Sequence, residues 1–123
     1  MNNNFQQPDD KTMNMHPQDI EDNKVLSLFS YIGILFLIPL LACKNSQYAR
    51  FHANQGIILF ICNLIISVAA GILSVIPVVG FILCIILYIV ELVLLVFAII
   101  GIVNAVTGKA KELPLIGKFT ILK

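Results

Sequence analysis

Between Phe51 and Ala105 the sequence has no lysine or arginine and a single acid, Glu91. There is no tryptophan, and only 12% of the 123 residues are charged, about half the share in an ordinary soluble domain. A soluble fold must cover its surface with polar groups, so a stretch this long with a single charged residue excludes one and requires lipid around it. The shortage of basic residues also argues against nucleic acid as a partner. Eight Lys and Arg against seven Asp and Glu leave a net charge of +1, with no polybasic face to neutralise phosphates. Cys43, Cys62 and Cys84 are odd in number and lie in or beside apolar sequence, which fits neither a disulfide framework nor zinc-ligand spacing. They read as small buried residues. No serine has a His/Asp set to activate it, His52 has no His or Cys at ligand spacing, and no glycine-rich phosphate loop is present. The reading is therefore non-enzymatic, with no cofactor and no metal.

What is present is apolar sequence: 59% of the chain. Residues 1–24 are the exception, an acidic, Asn- and Gln-rich tail expected to be disordered; they lack the basic start and apolar core of a signal peptide. Three uncharged or nearly uncharged runs follow. Residues 25–42 would make about 27 Å of helix, 56–76 about 31 Å and 78–103 about 39 Å, against a hydrocarbon core of about 30 Å. Their continuous apolarity does not alternate as barrel strands do. The expectation is an all-α integral membrane protein with three transmembrane helices in a small bundle, a polar connector at 43–55, and a turn at Pro77 and Gly80. A basic C-terminal tail, 106–123, is expected to lie along the headgroups.

Three spans would put the N-terminus and the Pro77 turn on one side, and the connector and C-terminus on the other. The first side would carry Lys11 and Lys24, the second Lys44, Arg50, Lys109, Lys111, Lys118 and Lys123. By the positive-inside rule this predicts a plasma-membrane protein with its connector and C-terminus in the cytoplasm and its N-terminus outside.

Glu91 stands near the middle of the third run, where an ionised carboxylate costs at least about 2.5 kcal/mol. It must be neutral, paired or in contact with water. Tyr88 lies one turn before it, and Asn63, Ser67 and Ser74 form a polar stripe on the second run, of the kind that lets helices approach and hydrogen-bond. Asn63 with Glu91 is the first pairing to expect. These five residues are the candidate intramembrane site. The bland reading is a hydrogen-bonded acid joining helices; the sharper one is a proton- or cation-binding group on a conduction path. Arg50, His52, Asn54 and Gln55, with Lys109, Lys111 and Lys118 on the same expected side, form a candidate patch for lipid headgroups or a partner. The alternative is that Arg50 snorkels while His52 and Gln55 satisfy the helix end.

The phrase Ala49 to Gly56, a first run containing Tyr31 to Gly33, and the exit sequences Asn104-Ala105, Gly108-Lys109 and Leu113 to Lys118 resemble a family of small bacterial and archaeal membrane proteins classed as a domain of unknown function. That family is distantly similar to the Tic-twenty component of chloroplast protein import. The resemblance implies a scaffold or channel-like subunit. The functional expectation is a structural or interaction subunit that self-associates or joins another membrane protein; conduction through Glu91 and binding of anionic membrane lipids are the alternatives.

Overall fold

The computed structural model describes residues 10–119. Its elements in chain order are a 3-10 turn at Thr12–Asn14, helix α1 at Pro17–Ser27, two 3-10 turns at Leu28–Tyr31 and Gly33–Phe36, and the short helix α2 at Leu37–Ala42. Two long helices follow, α3 at Gln47–Leu73 and α4 at Val79–Val106.

The long helices form because both stretches are apolar and free of proline, and because their ends are provided for. Ser46 caps α3 by accepting from the Ala49 amide at 3.0 Å. Gly108, at φ 80, ends α4 and lets the Lys109 amide return to the Asn104 carbonyl at 2.8 Å. With 27 and 28 residues they are about 40 Å long, enough to cross a bilayer with a turn to spare. They pack antiparallel through the tight turn at Pro77, where Val78 takes φ 62. Both are long and apolar enough to span a membrane.

The run at 25–42 departs from expectation. A single spanning helix was the reading; the chain instead breaks into short pieces. Gly33 adopts φ 52, which interrupts the helix, and Pro39 falls in the first turn of α2, where its missing N–H costs nothing. Pro39 therefore starts a new helix rather than kinking an old one. The apolar run descends beside α3 and α4 and returns to the level at which it began. Around it, two cores form. Tyr31, Leu59, Leu94, Ala105 and Leu113 make one; Met15, Tyr48 and Ala110 make the other.

Because the run returns, the N-terminal segment lies at the same end as the connector and the C-terminal tail. The Lys11 amide donates to the Ala110 carbonyl at 2.8 Å, the Ala110 amide donates to Thr12 Oγ1 at 2.8 Å, and Lys11 lies 3.9 Å from Glu112. This corrects the three-span arrangement, which required opposite sides. Residues 10–24, expected as part of a disordered tail, are turned and helical; residues 1–9 of that tail lie outside the described residues. The connector is also shorter than 43–55, since α3 already begins at Gln47. The described part of the C-terminal tail folds inward, with Ala110 and Leu113 buried, rather than lying flat on headgroups.

Candidate functional site

Polar groups collect in two places. The first is a buried cap at the end shared by the start of α3 and the end of α4. One turn into α3, Tyr48 and His52 point inward, and both are fully buried. The Tyr48 hydroxyl donates to the Ala105 carbonyl at 2.7 Å, closing α3 onto α4. The His52 Nε2–H donates to the Lys109 carbonyl at 3.0 Å, because a carbonyl can only accept. A ring this fully buried favours the uncharged form, which leaves Nδ1 an acceptor that takes a hydrogen bond from the Tyr31 hydroxyl. His52 is thus a neutral imidazole joining the broken run to the C-terminal tail. Tyr31, Tyr48 and Phe51 all pack edge-on against its ring, with centroids 4.7 to 5.5 Å away.

One turn further, Gln55 holds the tail with both ends of its amide: Nε2 donates to the Gly117 carbonyl at 3.0 Å and Oε1 accepts from the Leu113 amide at 2.9 Å. Asn54 Nδ2 donates to the Phe119 carbonyl at 2.9 Å. At the rim, Asp19 of α1 accepts from the Ser46 hydroxyl and from the Tyr48 amide at 3.0 Å, adding a negative charge at the positive end of α3. Burial alone would raise the Asp19 pKa; the hydrogen bonds from Ser46, Tyr48, Asn23 and Gln47 outweigh it and hold the carboxyl below the usual carboxylate range.

The cap depends on two close approaches that a sequence pattern does not advertise. A Cβ on Gly101 would lie 2.2 Å from the Tyr31 ring, and one on Gly56 would lie 1.7 Å from the Ser30 carbonyl oxygen. Glycine at these positions lets the broken run lie directly on the backbones of both long helices.

The second polar region is the seam between α3 and α4 near their midpoints. Asn63 and Glu91 line two adjoining cavities there. One, of about 210 Å³, also touches Tyr31, Gly33 and Gly56; the other, of about 280 Å³, also touches Ser67, Cys84 and Tyr88. No hydrogen bond joins Asn63 to Glu91 among the described residues; Asn63 Nδ2 donates to the Leu59 carbonyl at 3.0 Å in its own helix. Tyr88 is 65% exposed on an otherwise apolar face. Ser74 lies at the far end of α3, its hydroxyl on the Gly71 carbonyl at 2.7 Å, away from Glu91.

The structure therefore divides the candidate residues differently from the sequence. Glu91, Tyr88, Asn63 and Ser67 are brought to one groove and Ser74 is not. Of the patch, His52, Asn54 and Gln55 are interior and bind the chain's own tail, whereas Lys109 and Lys118 stay exposed and Arg50 and Lys111 are half-buried. Those three polar residues thus cannot face headgroups. Tyr31, Tyr48 and Asp19 belong to the cap and were missed; for Tyr31 the available signal was an aromatic hydroxyl inside an apolar run, which demands a partner.

Two long apolar helices under a hydrogen-bonded polar cap define a small all-α membrane protein; among the described residues no group of three His, Cys, Asp or Glu is placed to hold a metal ion. Residues 21–120 match the magnetosome magnetite crystal formation protein family, MamF/MmsF, and the chain belongs to it. Two curated relatives, the magnetosome protein MamF of Magnetospirillum gryphiswaldense and that of Paramagnetospirillum magneticum, are each 42% identical over 36 residues. That stretch covers 29% of this chain and only 32% of either relative. No solved structure matches. The family corrects the resemblance to the domain-of-unknown-function proteins and to Tic-twenty. The phrases that carried it, from Ala49 to Gly56 and from Leu113 to Lys118, are the ones that build the cap. They describe how the hairpin is closed, not what it serves.

Proposed function

We propose that the chain is a structural subunit of the magnetosome membrane that contributes to magnetite crystal formation by self-association in the bilayer. Membership of the crystal-formation family supports the setting. The observation that carries self-association is the lateral groove holding Asn63, Ser67, Tyr88 and Glu91. The described residues leave this groove uncovered, with a tyrosine, a serine and a carboxyl presented toward hydrocarbon. Such groups are stabilised by partners across a helix interface, and a second copy supplies them symmetrically. Chemical crosslinking of the purified protein in lipid nanodiscs and in vesicles tests this. Glu91→Gln keeps a hydrogen-bonding amide and should leave the oligomer almost intact, whereas Glu91→Leu should weaken it. An oligomer lost in Glu91→Gln alone, or unchanged in Glu91→Leu, contradicts the reading.

A second reading, proton or ion conduction through Glu91, draws on the two cavities that meet at its side chain. It requires pH-dependent flux in vesicles that Glu91→Gln abolishes. The orientation we propose puts the cap end in the cytoplasm: Lys11, Lys24, Lys44, Arg50, Lys109, Lys111 and Lys118 all belong to that end, and the turn from Ser74 to Val78 has no charge. The exposed lysines among them fit anionic headgroups as an anchor.

A further inference from the structure

We propose that residues Leu28–Ala42 enter one leaflet only, giving the chain a wedge shape that fits it to the convex leaflet of a strongly curved bilayer. The depth of this segment can be read from its contacts. Ser30 lies on Gly56, Tyr31 on Gly101, and Phe36 on Phe60 with ring centroids 5.5 Å apart. Phe60 is midway along α3, about 20 Å from its start. Gly33 shares a cavity with Asn63 and Glu91, which are themselves near the middle of their helices. Below that level the segment turns back, through α2, to Cys43 and the α3 cap.

Two features make this depth physically acceptable. Irregular backbone at membrane depth survives only where protein or a wet cavity meets its freed polar groups. The break at Ile32 and Gly33 sits where the 210 Å³ cavity brings Asn63 and Glu91 alongside. The outer face of the segment is apolar and exposed, with Ile34 at 57% and Leu41 at 62%, so its remaining contacts are with acyl chains.

The result is a strong asymmetry across the bilayer. In the cap half, the broken segment, α1 and the C-terminal tail surround the two long helices, and both cores lie there. Among the described residues only α3 and α4 remain in the far half, with an apolar groove along Leu64, Val68 and Ile72. A molecule wide in one leaflet and narrow in the other is accommodated at least cost where the wide leaflet is stretched, that is, on its convex side. The occupant of the exposed face is therefore lipid of one leaflet, and membrane shape is what the chain distinguishes.

The test uses the full chain in giant vesicles of phosphatidylcholine and phosphatidylglycerol from which narrow tubes are pulled outward, with Cys43, Cys62 and Cys84 changed to alanine. An impermeant maleimide dye on Asn45→Cys marks molecules whose cap end faces out; the same dye on Pro77→Cys marks the opposite orientation. The first population should be enriched in the tube about threefold over the flat membrane, equivalent to about 0.7 kcal/mol at 1.4 kcal/mol per tenfold. The second should be depleted. Gly101→Leu, which displaces Tyr31 and the segment with it, should abolish the enrichment while circular dichroism retains the long helices. Equal tube densities for the two labels would overturn the proposal, as would enrichment of both. If Gly101→Leu does not fold, the opposite signs of the two labels still decide it.

Discussion

His52 shows how much one side chain organises. Its two ring nitrogens bind Tyr31 and Lys109, residues 21 before and 57 after it in the chain, and thereby fix the broken run and the C-terminal tail to the same turn of α3. Tyr31→Phe leaves Nδ1 buried without its donor and should cost about 1–3 kcal/mol in unfolding from mild detergent. Gly101→Ala should cost at least as much, because the added methyl occupies the place of the Tyr31 ring. Asp19 contributes a pH dependence of known sign. Its folded pKa is depressed, so its stabilisation is present above the usual carboxylate range and is lost as pH falls through that range and below it. Thermal unfolding between neutral pH and pH 3 should show a loss that Asp19→Ala reduces; an unchanged pH profile in that variant would remove Asp19 from the cap. At this scale the site was partly legible. Glu91, Asn63 and Tyr88 stand out in an apolar run, as does the polar phrase around His52, but which groups bond to which is a matter of contacts across more than fifty residues.

Among the elements, α3 and α4 follow from composition alone, since no other backbone form satisfies its own hydrogen bonds in a continuous apolar run. The turn between them carries a local strain. Val78, a β-branched residue at φ 62 and ψ −67, has the geometry of a strained three-residue turn, and the Val79 amide reaches the Pro77 carbonyl at 2.7 Å. Val78→Gly relieves the steric conflict and should raise the unfolding midpoint, by an amount corresponding to about 1 kcal/mol. The run at 25–42 was the element most easily misread. Eighteen uncharged residues satisfy the length and hydropathy of a span, yet Gly33 and Pro39 inside it set a break and a new start. Hydropathy sums over a window and is blind to that break.

For the molecule as a whole, the return of residues 25–42 decides the topology. An impermeant thiol reagent should label Asp22→Cys, Asn45→Cys and Lys109→Cys from one side of the membrane and Pro77→Cys from the other. Labelling of positions 22 and 45 from opposite sides would restore three spans. Native background is small: burial, helped by the nearby Asp19 charge, pushes the Cys43 thiol pKa up and disfavours its reactive thiolate, and Cys62 and Cys84 lie within the long helices. With the N-terminal segment at the cap, the seven basic residues among the described residues all lie at the cap end, Arg50 in the first turn of α3, so the charge asymmetry is stronger than three spans allowed. The same folding that gathers those charges also concentrates the cores in one half and leaves the groove at Tyr88 and Glu91 uncovered.

The near-absence of charge from Phe51 to Ala105 was by itself enough to place this chain in a membrane, to make it helical, and to single out Glu91. Those conclusions need only the cost of burying charge and unpaired backbone in lipid, which every residue bears locally. Tertiary structure alone decided that the first apolar run folds back, that Lys11 and Thr12 join the segment around Ala110, and that His52, Asn54 and Gln55 turn inward. Each of these depends on close backbone approach at glycines and on hydrogen bonds between distant segments, whose free energy exists only once both partners are in place.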